Sequence, residues 1–226
     1  MTLTAKLKLI ALGIVVLAAV AGIAVFYRVF QGNTSPVRVA CVGDSITGIT
    51  GYPADLQTLL GNSYEVRNFG VMGATILLNT DRPYINQTAF LEVKQFQPQV
   101  VVILLGTNDA RTNIYQYSQN LEADYKRLID AFQAFASKPE VLIAIPPPIF
   151  NNTLGLSSAY LDQGVIPRVE QVAKELHLPT IDIYGALVIR PELFPDGVHP
   201  NNEGAQIIAN EVYKALIPRY TRPEVF

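Results

Sequence analysis

Five short apolar runs recur along the chain, and a glycine follows each of the first three: VRVACV from Val37, YEVRNF from Tyr64, VVVILL from Val100, VLIAI from Val141 and TIDIY from Thr180. The first, third and fourth are almost wholly apolar, the pattern of strands buried on both faces of a parallel sheet. Between the runs the apolar positions change to helical spacing. YPADLQTLLG puts Leu56, Leu59 and Leu60 on one side and stops at Gly61. SQNLEADYKRLIDAFQAF aligns Leu121, Tyr125, Leu128, Ile129, Phe132 and Phe135. GVIPRVEQVAKELH offers Val165, Val169, Val172 and Leu176, with Pro167 in the first turn, where its missing N–H does no harm. NEGAQIIANEVYKALI closes the chain with Ile207, Ile208, Val212, Leu216 and Ile217. Strand and helix alternate throughout, which predicts a three-layer α/β domain with a mostly parallel, five-stranded sheet. Leu77 to Phe90 has little periodicity and reads as a long loop, of the kind that often binds ligands. IPPPIF, residues 145 to 150, stiffens the exit from the fourth strand.

Ahead of this pattern, Leu9 to Tyr27 carries no charge and is about long enough to span a bilayer as a helix. Lys6 and Lys8 precede it, Arg28 follows, and Phe26, Tyr27 and Phe30 stand where an interfacial aromatic belt would lie. Residues 1–30 therefore read as a transmembrane signal anchor, with cleavage near Ala19-Val20-Ala21 as the alternative. Either reading places the rest of the chain outside the cytosol, membrane-anchored or secreted. QGNTSP, residues 31–36, reads as a linker, and residues 37–226 as the folded domain. Formal net charge is −2 and charged residues make up 16% of the 226, so no basic surplus points to nucleic acid. The single cysteine, Cys41, cannot form an intrachain disulfide and sits in an apolar run as a small buried hydrophobe.

Ligands of open parallel sheets bind beyond the carboxyl ends of the strands. The first strand ends in Gly43-Asp44-Ser45, the second runs into Asn68-Phe69-Gly70-Val71-Met72-Gly73, and the third into Gly106-Thr107-Asn108-Asp109. Beyond the fifth, just before the last helix, comes Asp196-Gly197-Val198-His199-Pro200. Serine-based acyl transfer needs a nucleophile, a base, a group that orients the base, and donors for the oxyanion. Ser45 is the candidate nucleophile. Of the two histidines, His177 falls at a predicted helix stop, whereas His199 lies in a loop that can aim it. Asp196, three residues earlier, can reach the other ring nitrogen and fix the tautomer. The Ser45 amide, the Gly73 amide and the Asn108 side chain are candidate oxyanion donors. Asp44 and Asp109 are expected to brace their loops through backbone hydrogen bonds.

These four blocks, in this order, resemble the SGNH hydrolases, or GDSL-type esterases and lipases. GDSIT is similar to the family's first block, NFGVMGAT to the second, GTND to the third and DGVHPN to the last. The resemblance spans Val37 to about Ile217. It implies a flavodoxin-like fold, Ser45, Asp196 and His199 as catalytic triad, Ser45, Gly73 and Asn108 as oxyanion hole, and no metal or organic cofactor. The first block reads GDSI rather than GDSL, which keeps an apolar residue. NFGVMGAT followed by the DRPY loop resembles the carbohydrate acetylesterases of the family, including the sialate O-acetylesterase-like ones. The expected substrate is thus a short-chain, acetyl ester on a carbohydrate, with Asn79, Asp81, Arg82, Tyr84, Asn86 and Arg111 as candidates to line a polar pocket. Three other readings compete. A metal-dependent phosphoesterase could use Asp44, Asp109 and Asp196, although two histidines are few for a two-metal site. An O-acyltransferase would pass the same acyl group to a sugar hydroxyl. A surface-anchored binding protein would have lost activity.

Overall fold

Side chains of successive residues in the strands point to opposite sides, and here both sides are covered. In strand β1 (Val37–Gly43), Val39 and Cys41 face one apolar cluster, while Ala40 and Val42 face another. Strand β3 (Val100–Leu104) repeats the division, with Val100, Val102 and Leu104 on one side and Val101 and Ile103 on the other. The computed structural model describes residues 35–220. Within them, β2 (Tyr64–Gly70), β4 (Glu140–Ile145) and β5 (Thr180–Asp182) complete a five-stranded sheet, every neighbouring pair parallel, in the order β2-β1-β3-β4-β5. This order is that of the flavodoxin-like doubly wound sheet, whose switch point lies between β1 and β3. The expected transmembrane segment falls outside the described residues. Among the described residues, no helix is long and apolar enough to cross a membrane.

Helices cover the two faces. The helices α1 (Ser45–Ile49) and α2 (Tyr52–Leu60) follow β1. α3 (Thr88–Phe96) and α4 (Leu121–Gln133) flank β3 in sequence, and α5 (Ile166–Glu175), α6 (Ile183–Leu187) and α7 (Asn202–Tyr220) complete the layers. α4 buries Leu121, Tyr125, Leu128, Ile129 and Phe132, the face its spacing predicts, and Phe135 just past its end is buried with them. Pro167 sits in the first turn of α5. A short helical turn (Ser158–Tyr160) and a π-helical stretch (Leu161–Val165) lead into α5, so Leu161 joins Val165, Val169 and Val172 in the core.

Some expectations are corrected. Leu77 to Phe90 is not one long loop: a 3-10 turn (Tyr84–Asn86) interrupts it, and α3 starts at Thr88. No side chain caps the start of α3, so the sequence carries no start signal there. Leu59 is exposed, because α2 turns Leu56 and Leu60 inward and leaves the intervening position on the rim. The seam of α7 runs through Ala205, Ile208, Ala209, Val212 and Leu216, while Ile207 and Ile217 are only partly buried. Two alanines, Ala205 and Ala209, form part of that seam. TIDIY is a strand only to Asp182, whose carboxylate accepts the Gly185 amide and starts α6.

The larger cluster contains an aromatic knot. Phe132 is fully buried, with ring centroids of Phe90, Phe135 and Tyr84 at 5.2, 5.5 and 6.3 Å. Removing such a ring loses its transfer energy and leaves a cavity. Phe132→Ala is expected to lower unfolding free energy by about 3–5 kcal/mol, measured by urea denaturation, whereas Leu59→Ala at the exposed position should change it by less than about 0.5 kcal/mol.

Candidate active site

The ends of the first three strands lie level. Gly43 is opposite both Gly70 and Leu104, so the loops that follow leave the sheet at one edge. A side chain at Gly43 could not be accommodated there: a Cβ would stand 2.0 Å from Thr47 Oγ1 and 2.6 Å from the Leu104 carbonyl oxygen. The chain turns at once into α1. Asp44 caps this helix, its Oδ1 accepting the Ile46 amide at 2.9 Å, and Ser45 becomes the first helical residue. The amide of a first helical residue has no partner within its helix.

His199 arrives from the other end of the chain in a tight turn. Asp196 Oδ1 accepts the amides of Val198 and His199 at 2.9 and 2.7 Å, and Gly197 takes a φ of +80° between them. Asp196 Oδ2 then lies 2.7 Å from His199 Nδ1, and His199 Nε2 lies 2.8 Å from Ser45 Oγ. An ionised carboxylate only accepts, so Nδ1 carries the hydrogen and Nε2 is left to accept from the serine hydroxyl. Partial burial pushes the Asp196 carboxyl up, but the His199 amide and ring and the Val198 amide outweigh it and hold it down at about 2.

Asn108 is buried after β3, in a turn of 3-10 helix (Asn108–Ala110). Its Nδ2 donates to Asp44 Oδ2 at 3.2 Å and its Oδ1 accepts from Arg111 Nη2 at 2.9 Å. Gly73 sits beyond β2 with a φ of +73°, a left-handed conformation that glycine adopts without strain. Ser45, Gly73, Asn108, Arg111 and His199 line one cleft of about 220 Å³, rimmed by Met72 and Leu154. The structure therefore brings together Ser45, Gly73, Asn108, Asp196 and His199. His177 takes the stop of α5 instead, with a φ of +54° and its Nδ1 2.9 Å from the Lys174 carbonyl oxygen.

Of the six candidates for a polar pocket, only Arg111 lines the cleft. Tyr84 is a correction: it is fully buried, and its hydroxyl donates to the Phe69 carbonyl at 2.7 Å. Its ring area outweighs one hydroxyl that a backbone acceptor satisfies. Asn79 and Asn86 are exposed. Arg82 is exposed as well, but it reaches back to the Met72 carbonyl at 3.0 Å. Asp109 braces its neighbour loop, accepting the amides of Ile76 and Leu77 at 3.0 and 2.8 Å. Burial pushes its carboxyl up to about 6, and that of Asp44 to about 7. Burial also pushes the Cys41 thiol up to about 12, in line with a core position. Leu154 and Leu156, after β4, contribute to the cleft although the sequence reading did not single them out. The rule that sites form at strand ends applies to β4 too and could have found them. Among the described residues, no group of three or more His, Cys, Asp or Glu side chains could hold a metal ion.

Fold and site together define an α/β domain that carries a serine–histidine–carboxylate chain at the switch point of its sheet. The sequence profile of the GDSL-like lipase/acylhydrolase family matches residues 41–207, and the chain belongs to that family. It is 35% identical to an acetylxylan esterase from Xylanibacter ruminicola, over 80% of this chain and 43% of that protein. It is 22% identical to the GDSL esterase/lipase WDL1 of Oryza sativa subsp. japonica, over 53% of this chain and 54% of that protein. The chain thus spans about half the length of these relatives. Among solved structures, a carbohydrate acetylesterase family member from Sinorhizobium meliloti superposes with a TM-score of 0.65 at 20% identity, over 80% of this chain and 97% of that one.

The shifted carboxyls give stability two pH limbs. Asp196 binds its proton less readily when folded than the ordinary 3.8, so its contribution is present above about pH 4 and lost as pH falls through 2. Asp44 and Asp109 bind theirs more readily, so their contribution is present below about pH 4 and lost as pH rises through 6 and 7. Asp196→Asn should flatten the acid limb, by about 1 kcal/mol or less at this half-exposed position, and leave the neutral limb in place. Urea midpoints measured from pH 2 to 8 check this.

Proposed function

We propose that this chain is a serine carboxylic ester hydrolase that removes short acyl groups, acetyl above all, from carbohydrates. The observation that carries the proposal is the unbroken hydrogen-bond chain from Ser45 Oγ through the His199 ring to Asp196, at 2.8 and 2.7 Å, beside Gly73 and Asn108. His199 Nε2 takes the proton of Ser45 as the hydroxyl oxygen bonds to the ester carbonyl carbon. The imidazolium that forms is stabilised and oriented by Asp196. The carbonyl oxygen gains negative charge and is held by the Ser45 and Gly73 amides and the Asn108 carboxamide. Collapse breaks the bond to the alcohol, which leaves with the proton from His199. Water then enters, gives its proton to His199, attacks the acyl-enzyme and releases the acid, and Ser45 recovers its hydrogen.

The cleft supports a small acyl group. Pockets that enclose drug-sized ligands span roughly 300–1,000 Å³, and this cleft is about 220 Å³. The names of the relatives support the carbohydrate: one is an acetylxylan esterase, and a structural neighbour is a carbohydrate acetylesterase family member. The uncharged run Leu9–Tyr27 supports a domain that works outside the cytosol.

With p-nitrophenyl esters, acetyl turnover is expected to exceed octanoyl turnover at least tenfold; a preference for octanoyl contradicts the short-chain reading. Ser45→Ala should lower kcat by roughly 10⁴-fold or more with unchanged circular dichroism. Acetylated xylan or another acetylated glycan should release free acetate, measured by chromatography. Acetyl transfer to an added sugar in place of acetate release would make the chain a transferase.

A further inference from the structure

The two amides offered to the oxyanion are each held by their oxygen end. Asn108 is fixed at both ends of its carboxamide. Arginine only donates, so the atom 2.9 Å from Arg111 Nη2 is the amide oxygen, and the nitrogen faces Asp44 Oδ2 at 3.2 Å. An NH2 group has two hydrogens, and Asp44 takes one. The second meets no acceptor among the described residues and is free for the cleft that Asn108 lines. Were the carboxamide to turn over, its oxygen would point at the site and would repel an oxyanion.

The Gly73 N–H belongs to the Met72–Gly73 peptide. The carbonyl of that peptide accepts from Arg82 Nη1 at 3.0 Å. No peptide among the described residues is cis, so the N–H points away from its own carbonyl and away from Arg82. The next carbonyl, that of Gly73, accepts from Arg111 Nη2 at 3.3 Å. One guanidinium nitrogen thus ties the loop after β2 to the turn after β3. A Cβ at position 73 would stand 2.8 Å from that nitrogen, so a side chain there would displace the clamp. Arg111 is a quarter exposed, and its nearest carboxylate, Asp81, stands 3.7 Å from Nη1. At that separation from an exposed partner the ion pair contributes little, and the shorter contacts are the ones to the amide oxygens.

We propose that Arg111, assisted by Arg82, is a positioning residue that sets and polarises the oxyanion donors. A cation on an amide oxygen draws electron density from the nitrogen and strengthens its N–H as a donor. Donor strength matters most when the carbonyl oxygen becomes charged, so the effect falls on kcat. Arg111 polarises the Asn108 carboxamide and, at the Gly73 carbonyl of the following peptide, only holds the loop in place, whereas Arg82 lies on the carbonyl of the peptide that carries the Gly73 N–H; neither need touch the substrate. The inference rests on the ester-hydrolase reading above, and it adds two residues that serine, histidine and aspartate do not require.

The experiment is a double-mutant cycle on the full chain with p-nitrophenyl acetate. Arg111→Met should lower kcat about 10- to 100-fold with KM changed less than threefold, and Arg111→Lys should recover part of the loss. Asn108→Ala alone should lower kcat about 10²- to 10³-fold. In the Asn108→Ala background, Arg111→Met should cost at most about a third of the factor it costs in wild type, because the amide it polarises is gone and only its tie to the Gly73 carbonyl remains. Arg82→Met should lower kcat less than Arg111→Met, since Arg82 is exposed. A rise in KM with kcat unchanged would make Arg111 a substrate contact and overturn the proposal. So would an equal loss with and without Asn108, the sign of general damage to the fold. An unchanged kcat in Arg82→Met would remove the part assigned to that residue. If wild type is inactive, or Asn108→Ala is as active as wild type, the reading of the site itself fails, an outcome distinct from failure of the clamp.

Discussion

A single hydrogen bond, Ser45 Oγ to His199 Nε2 at 2.8 Å, joins two residues 154 positions apart, and the chemistry proposed for the cleft depends on it. The bond is worth little to stability, since an exchange of protein for water partners nets only about 1 kcal/mol. Its value is positional. Proton transfer needs donor and acceptor within hydrogen-bond reach before the reaction starts. That reach is set by the sheet: β1 delivers Ser45 at the edge, and the turn before α7 delivers His199 to the same edge.

The buried apolar strands supply rigidity at their ends, where the polar groups sit. Val39 to Val42 and Val100 to Leu104 are nearly inaccessible, and each is packed from both sides. Side chains in such a core occupy few rotamers. Loops anchored on level strand ends inherit that order, and the loops here are also tied to one another. Asp109, beyond β3, holds the amides of Ile76 and Leu77 in the segment beyond β2. Asp44, beyond β1, holds Asn108, beyond β3. Both aspartates are buried and disfavoured as charges, yet each accepts donors from its neighbours. They exchange electrostatic stability for a fixed arrangement of loops, a cost often found at functional sites.

Much of this was legible in the sequence because it depends on local chemistry. Apolar runs of strand length, the Gly43-Asp44-Ser45 turn and the Asp196/His199 spacing each have a short-range physical cause, and each of the five runs holds a strand, although the fifth turns into helix after Asp182. What could not be read depends on packing at a distance. Tyr84 has a polar tip, and only the nearby Phe69 carbonyl shows why it is buried. The start of α3 lacks a cap, so no residue marks it. Leu154 and Leu156 line the cleft; the strand-end rule points to the segment after β4, but which of its residues face the cleft is set by the path of the loop. The pairing of Arg111 with Asn108 spans three residues, but its meaning appears only once Gly73 arrives from another strand.

The central claim is that Ser45 is activated by His199. It is tested most directly by labelling the full chain with the organophosphate paraoxon and locating the adduct by peptide mass spectrometry. One diethylphosphoryl group per chain is expected, on Ser45, with the labelling rate falling by at least about 10²-fold in His199→Ala. Labelling at another residue, or labelling of Ser45 at an unchanged rate without the imidazole, would contradict it.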